Sequence, residues 1–381
     1  MSARVLITGG DEIGVLGAIR GLRAAGYYVL AQAGREGSYA ARSRACARMI
    51  VTAAADADPS GFADELVEAC DRHAVAALLP GTEAALLALA PAKRRFPGHS
   101  AVGAPDPEVV ERATSKQALV EVAAQVGIEM PPTRRLDLAA LANGQAPDIE
   151  LPLVVKPLRS DTPLPGGALL HDSPRLVHSL SQLREAISAT AAGEVLIQPY
   201  FPGEIYGVCG VAWQGETICT LHQVGRRIWP PDCGMVSYVE TVPCQHGLDG
   251  RVRALVGALG WSGIFQLQLL CHRGALYAID FNPRVYISIS LSIAAGLNLP
   301  AVWAALLLGQ LPRVADYATG VRWRSDLDDP RSILAGFRDG RRARSLVAAL
   351  PRRRTTHAVF SWRDPAPVVT TLKRIKEHSR R

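Results

Sequence analysis

Residues 268–284 (QLLCHRGALYAIDFNPR) constrain the fold of this chain more than any other stretch. Strand-forming residues flank a short turn that ends at Gly274, where a positive φ is allowed, so the segment is predicted to be a β-hairpin. In this hairpin Gln268 and Asp280 face each other. Because side chains alternate along a strand, Asp280 and Asn282 share one face and the residue between them points to the other. Three oxygen-bearing side chains therefore converge on one face of a strand pair.

These side chains form a predicted metal site. Gln268, Asp280 and Asn282 offer one carboxylate and two amide oxygens, which suit Mg²⁺ or Mn²⁺ and leave positions for waters and nucleotide phosphates. Arg284 follows two residues later, and its planar fork of donors can stabilise charge on a transferred phosphoryl group. The alternative is an ordinary hairpin in which the Asp and the Asn occur by chance.

The spacing of these residues carries a family resemblance. A Gln, an Asp twelve residues later and the run Asp-Phe-Asn-Pro-Arg resemble the metal-binding signature of the ATP-grasp superfamily of carboxylate–amine ligases. Biotin carboxylase and the large subunit of carbamoyl-phosphate synthetase show this signature, and the latter also has a glutamine as first ligand. The resemblance implies an α/β and α+β chain in which a Rossmann-like N-terminal domain precedes a two-lobed ATP-grasp domain that binds ATP.

The resemblance also predicts the domain limits. Residues 1–105 form the Rossmann-like domain and residues 106–315 the ATP-grasp domain. Within the latter, 106–200 is the smaller lobe and 201–315 the larger lobe with the metal site. Residues 316–381 are predicted to be a basic helical C-terminal extension.

The N-terminal region opens with a strand at 4–8, a helix to about residue 25 and a second strand, and the same alternation continues to about residue 105. This pattern predicts a doubly wound parallel domain. Its glycines do not spell GxGxxG and no acidic residue follows the second strand, so dinucleotide binding is weakly supported. Glu83 lies just beyond a strand's carboxyl end. It either contacts a substrate there or only complements a helix dipole.

Two lysines are the predicted phosphate contacts. The segment 105–133 resembles the entry segment of the superfamily, and the resemblance places Lys116 on nucleotide phosphates; a solvated helix lysine is the alternative. Lys156 ends the β-prone run LPLVVK, and a buried strand that finishes on a lone lysine needs an anionic partner. By resemblance this partner is the α- and β-phosphates of ATP.

The loop after Lys156 departs from the family pattern. Relatives have a glycine-rich loop that closes over the triphosphate, whereas only Gly166-Gly167 occur here, after two prolines that lack N–H donors. Two alternatives stay open: a longer and slower loop, or phosphate contacts supplied partly by Arg159 and Ser160.

Residues 195–202 resemble the hinge between the two lobes, where backbone groups recognise adenine. On that correspondence, the edge of the adenine is contacted by Gln198, the Pro199 carbonyl and the Phe201 N–H. Tyr200 borders the pocket, and Glu204 accepts hydrogen bonds from the ribose hydroxyls. The alternative is a proline-rich loop with core aromatics.

Arg226 and Arg227 leave a predicted strand together. Paired arginines in this setting commonly bind carboxylate or phosphate through bidentate contacts. The resemblance places them, with Arg284, at the acyl-phosphate; a surface arginine pair is the alternative.

Composition bears on the cellular location of the protein and on the state of its cysteines. No apolar run approaches the roughly 18–20 residues of a membrane span, and the N-terminus enters a strand directly, so we expect a cytoplasmic protein. Its seven cysteines are scattered without zinc spacing and are interpreted as reduced core thiols.

The net charge of +7 is local, since residues 321–381 hold 16 Lys and Arg against 6 Asp and Glu. Such a tail can bind nucleic acid, an acidic carrier protein or an anionic surface, and is most often merely solvated. It lacks the interleaved aromatics that stack bases, which disfavours nucleic acid. A carrier protein and a homodimer stay open.

The predicted reaction is ATP-dependent ligation of a small-molecule carboxylate to an amine. An acyl-phosphate intermediate would yield an amide or peptide bond with release of ADP and phosphate, and amino acids are the default substrates. The alternatives are an ATP-grasp phosphotransferase with a hydroxyl acceptor and a non-catalytic nucleotide-binding module.

Overall fold

The computed structural model describes residues 2–142, 150–164, 166–190, 193–231, 233–338 and 353–378. A five-stranded parallel sheet comes first, in the order β3-β2-β1-β4-β5 that doubly wound sheets show. Its strands are β1 (Arg4–Ile7), β2 (Tyr28–Ala33), β3 (Arg48–Val51), β4 (Ala77–Leu79) and β5 (Ala101–Val102). The connecting helices are α1 (Ile13–Ala24), α2 (Tyr39–Arg42), α3 (Pro59–Arg72) and α4 (Glu83–Ala92).

Helix α1 joins this sheet to the rest of the molecule through its glycines. A Cβ on Gly14 would lie 2.6 Å from the Tyr286 carbonyl oxygen, and one on Gly17 would lie 3.0 Å from Ile289 Cγ2. Only glycine permits so close an approach. Gly14 thus serves helix packing.

A four-stranded antiparallel sheet in the order β10-β7-β11-β6 forms the smaller lobe. Its strands are β6 (Arg134–Asp137), β7 (Leu153–Pro157), β10 (Arg175–Val177) and β11 (Glu194–Pro199), and a separate hairpin comprises β8 (Asp161–Pro163) and β9 (Leu169–His171). The accompanying helices are α5 (Pro107–Thr114), α6 (Lys116–Gln125), α7 (Leu138–Ala142) and α8 (Leu180–Ser188). Leu153, Leu183 and Ile187 are fully buried between sheet and helices.

The larger lobe is built on a seven-stranded sheet in the order β16-β15-β12-β13-β14-β17-β18. The strands are β12 (Glu204–Trp213), β13 (Glu216–Trp229), β14 (Met235–Thr241), β15 (Gly263–His272), β16 (Ala275–Asn282), β17 (Arg322–Arg324) and β18 (Thr355–His357). The helices are α9 (His246–Leu259), α10 (Ile289–Ala294) and α11 (Leu299–Leu307). Apolar side chains cover both sheet faces.

The C-terminal extension differs from the expected solvated helices. It contributes strands β17 and β18 to the large sheet as well as α12 (Asp328–Arg338) and α13 (Val368–His378). Strand β17 adds to the edge of β14, where its backbone groups satisfy those of the sheet. Arg341 and Arg342 lie outside the described residues.

Among the described helices, none combines the length and apolar content that a membrane crossing requires.

Candidate active site

The β15–β16 hairpin presents the predicted metal ligands on one sheet face. Its turn uses positive φ angles at Arg273 (49°) and Gly274 (85°). Gln268 pairs with Asp280, and Gln266 with Asn282. Because alternate residues share a face, these four side chains line up on the same surface of the strand pair.

Gln266 was missed by the sequence reasoning. Its Oε1 accepts hydrogen bonds from Asn282 Nδ2 at 3.4 Å and from Gln268 Nε2 at 3.3 Å. These bonds orient both amides with their oxygens directed away from Gln266. Strand alternation could have indicated Gln266, since it lies two residues before Gln268 on the same face.

Lys116 reaches this face from the smaller lobe. It begins helix α6 behind the N-cap Ser115, and its side chain is buried. Lys116 Nζ lies 4.0 Å from Asp280 Oδ1 and donates to Ser160 Oγ at 3.0 Å. The lysine therefore connects the loop after β7 to the carboxylate of the opposite lobe.

Lys156 also crosses between the lobes. Its Nζ donates to the Ile279 carbonyl at 2.8 Å, where a bulge in the β15–β16 ladder turns that carbonyl outward. Burial lowers the pKa of Lys156 to about 8, although the Asp280 carboxylate favours the charged form. Two buried lysines facing one carboxylate leave an excess of positive charge, which an anionic ligand would balance.

The described donors fit a hard divalent cation. One carboxylate (Asp280) and two amides (Gln268 and Asn282) supply only oxygens, and few enough of them for Mg²⁺ to retain waters and phosphate oxygens. The metal role of these three side chains stays a prediction.

The N-terminal domain contributes Glu83, the first residue of α4. Its side chain is 6% exposed, and Oε1 has no hydrogen-bond partner among the described residues. Burial raises the pKa of Glu83 to about 7, although the charges of Lys116 and Arg284 oppose this shift. Arg284 Nη1 itself donates to the Val285 carbonyl at 3.2 Å. A buried carboxyl with one unpartnered oxygen thus lies within electrostatic reach of the cluster.

The β8–β9 hairpin replaces the glycine-rich loop expected from the family. His171 Nδ1 and Asp161 Oδ1 are 2.7 Å apart, and this hydrogen bond raises the pKa of His171. The hairpin also contacts the N-terminal domain, because the Leu169 N–H donates to the Asp56 carbonyl at 2.6 Å. Of the two residues proposed to assist the phosphates, Ser160 contacts Lys116, whereas Arg159 lies 3.9 Å from Glu111.

The hinge residues lie at the end of β11. Gln198 Nε2 donates to Thr133 Oγ1 at 2.9 Å, and the Tyr200 N–H donates to the Pro152 carbonyl. The Phe201 ring stacks on His272, with centroids 4.7 Å apart. Hinge and metal hairpin are therefore packed together at the hairpin turn.

Pro199, the remaining hinge residue, is the last residue of β11 and pairs with Leu153 in the smaller lobe. It lies at the strand end, immediately before the connection to β12.

The paired arginines do not act together. Arg226 Nη1 lies 3.2 Å from Glu204 Oε1, so the predicted acyl-phosphate contact and the predicted ribose contact bind each other. Arg227 Nε lies 2.6 Å from Asp329 Oδ1 in α12, and its guanidinium stacks 3.9 Å above Tyr238. A bulge at Arg226 interrupts the β13–β14 register, and the two neighbouring side chains contact separate partners. Arg227 therefore links β13 to the C-terminal extension, and its predicted place at the acyl-phosphate stays a prediction.

Comparison with known proteins gives likenesses in sequence and in structure. Residues 192–326 match the family described as ATP-grasp in the biosynthetic pathway with Ter operon. The carbamoyl phosphate synthase large chain of Neisseria meningitidis is 24% identical over 211 residues, which are 52% of this chain and 19% of that protein. The chain therefore corresponds to about a fifth of the curated relatives it matches.

Solved structures extend the likeness over most of the chain. The ADP complex of N5-carboxyaminoimidazole synthetase from Staphylococcus aureus has a TM-score of 0.64 at 14% identity and covers 89% of this chain and 86% of its own. The L-amino acid ligase from Bacillus licheniformis has a TM-score of 0.58 at 15% identity, with coverages of 82% and 75%.

Proposed function

We propose that the chain is an ATP-dependent carboxylate–amine ligase of the ATP-grasp superfamily, a proposal that the family match, the sequence relatives and the similar solved structures support. The structural likeness confirms the predicted fold class. One observation carries the proposal. Lys116 and Lys156 of the smaller lobe meet Asp280 and the Ile279 carbonyl of the larger lobe, with two amides beside them. Buried cations opposite a set of hard oxygen ligands suit a nucleotide triphosphate with its divalent cation.

The two lysines and the metal ion would each neutralise part of the negative charge of the phosphates. Gln268, Asp280 and Asn282 would hold Mg²⁺, which neutralises phosphate oxygens and polarises the transferred group. Lys156 and Lys116 balance the remaining negative charge from the opposite lobe. Lys156, with a pKa lowered to about 8 by burial, becomes fully charged once phosphate oxygens surround it.

The carboxylate and amine substrates would be bound by Arg284 and by Glu83 of the N-terminal domain. Arg284 would stabilise the acyl-phosphate formed when a substrate carboxylate attacks the terminal phosphorus. The unpartnered oxygen of Glu83 suits the ammonium group of the incoming amine, and with a pKa near 7 the carboxyl could also accept its proton. The hinge at Gln198–Phe201 would hold the adenine. Glu204 would need to exchange Arg226 for the ribose hydroxyls.

Amino acids are the proposed substrates, because the similar Bacillus licheniformis structure is an L-amino acid ligase. The test is phosphate release by the purified chain with Mg²⁺-ATP over paired amino acids. Dependence on both members of a pair, together with a hydroxamate when hydroxylamine replaces the amine, supports the ligase. A hydroxylamine-resistant phosphoester would indicate a phosphotransferase. Nucleotide binding without turnover of any pair would indicate a binding module.

A further inference from the structure

The larger lobe carries a second cluster of metal-ligand side chains, on the other face of its sheet. His222 lies on β13, Cys244 in the connection after β14, and Asp249 in the first turn of α9. Their ligand atoms all lie within 4.8 Å of one another. Gly207 pairs with Gln223 on one side and with Gln268 on the other, so Gln223 and Gln268 share a sheet face. His222 precedes Gln223 by one residue, and its side chain therefore points to the opposite face, away from the ATP cluster.

The Cys244 thiol and the Asp249 carboxylate both lie close to the same nitrogen of the His222 ring. His222 Nε2 lies 3.5 Å from Cys244 Sγ and 3.3 Å from Asp249 Oδ1. In a Cys-His-Asp catalytic triad the acid and the nucleophile use different ring nitrogens, so this arrangement does not suit a thiol nucleophile. Three donors around one point instead suit a cation at their centre.

The separations agree with tetrahedral zinc. Zinc bonds are about 2.0–2.1 Å to nitrogen and oxygen and about 2.3 Å to thiolate, which places tetrahedral neighbours about 3.3–3.6 Å apart. The two measured separations, 3.3 Å and 3.5 Å, fall in that range. The His–Asp separation is also longer than the roughly 2.7–2.9 Å of a charge-assisted hydrogen bond.

Neighbouring groups support the ligands from outside. Tyr206 Oη lies 2.9 Å from His222 Nδ1, and the Gln245 N–H approaches the same nitrogen at 3.5 Å. With Tyr206 accepting a hydrogen bond from a protonated Nδ1, Nε2 would be free to bind a metal. Asp249 accepts hydrogen bonds from Thr220 at 2.6 Å and from Arg253 at 2.7 Å.

We propose that His222, Cys244 and Asp249 form a zinc site, structurally separate from the nucleotide site. His246 is the candidate fourth ligand, since its Nδ1 lies 4.0 Å from Cys244 Sγ, and a water can take its place. A zinc ion here would clamp the β14–α9 connection to β13. The sequence spacing did not indicate zinc, because 21 residues separate His222 from Cys244.

The test uses the full chain, dialysed against a chelator and then titrated with Zn²⁺ in competition with a chromophoric chelator. We expect one equivalent of tightly bound Zn²⁺ in the wild type. Cys244→Ser and Asp249→Asn should each weaken binding at least about 100-fold, and Tyr206→Phe roughly 10–100-fold through loss of outer-shell support. Cys233→Ser, at an exposed cysteine, is the matched control and should bind normally.

Two readouts do not depend on the ligand variants folding. Co²⁺ in the wild type should give a thiolate charge-transfer band and intense tetrahedral bands. Zn²⁺ should slow alkylation of Cys244 by iodoacetamide and leave Cys233 unprotected. Absence of a tight equivalent, or normal binding by Cys244→Ser, overturns the proposal. Loss of the zinc in Asp280→Asn would do the same, because it would place the ion in the nucleotide cluster.

Discussion

At the scale of residues, the two buried lysines of the candidate active site contact groups of the opposite lobe. Lys116 and Lys156 belong to the smaller lobe, while Asp280 and the Ile279 carbonyl belong to the larger one. Each partner is buried or half-buried, so its charge is weakly screened. The site is therefore built from side chains of both lobes.

Asp280 is the only carboxylate in the predicted ligand set, and its loss should be decisive. We expect Asp280→Asn to lower ATP-dependent phosphate release at least about 100-fold, because a neutral amide cannot replace the charge that holds Mg²⁺. The control is Asp71→Asn, at an exposed position of α3. Undiminished phosphate release by Asp280→Asn would show that the metal assignment is wrong.

Glu83 should make stability depend on pH. Burial raises its pKa from 4.5 to about 7, so between these values the folded chain holds a proton that the unfolded chain releases. Stability due to this group is therefore lost as pH rises through that window. Glu83→Gln cannot titrate and lacks this pH dependence. The free energy of unfolding of the variant minus that of the wild type should therefore increase by about 2 kcal/mol from pH 5 to pH 8.

Urea denaturation at the two pH values measures this difference. Glu68→Gln is the control, because Glu68 is an exposed carboxyl on α3 and should leave the pH dependence unchanged. A difference between Glu83→Gln and the wild type that stays constant with pH would contradict the buried, proton-holding state of Glu83.

At the scale of elements, the metal hairpin depends on its turn. Gly274 has φ of 85°, a region that an L side chain enters at a cost of about 1 kcal/mol. Gly274→Ala should therefore lower the free energy of unfolding by about that amount and weaken Mg²⁺-ATP binding. The measurements are urea denaturation and nucleotide titration.

The matched control for the turn is Gly250→Ala. Gly250 lies within α9, where an added Cβ meets nothing within 4 Å, so alanine should raise stability by roughly 0.8–1 kcal/mol. Equal effects of the two substitutions would mean that the turn geometry contributes nothing.

At the scale of the whole molecule, the C-terminal extension fastens the N-terminal domain. Asp364 accepts hydrogen bonds from Arg20, from the Ser43 hydroxyl and from the Arg44 N–H. Further along, Arg374 stacks on Tyr39. A segment that composition suggested to be solvated thus forms buried polar contacts with residues more than 300 positions earlier.

Removal of this fastening should destabilise the whole chain. Asp364→Ala leaves Arg20 and two other donors without their acceptor, so we expect a loss of about 3 kcal/mol in the free energy of unfolding. Glu68→Ala breaks an exposed ion pair with Arg72 and should cost at most about 0.5 kcal/mol. The free energies of unfolding are measured by urea denaturation. Equal losses in the two variants would show that the contacts of Asp364 do not contribute to the stability of the chain.

The sequence by itself determined the features that depend on local geometry. The hairpin with Gln268 opposite Asp280 follows from alternation and a glycine turn, and the parallel N-terminal sheet follows from the repeated strand–helix pattern. Contacts between distant segments were decided only by the tertiary structure. They bring Glu83 to the cluster, give Arg227 to Asp329 and assemble His222 with Cys244 and Asp249. Packing between separate elements and domains sets these contacts, and it leaves no periodic signal in the chain.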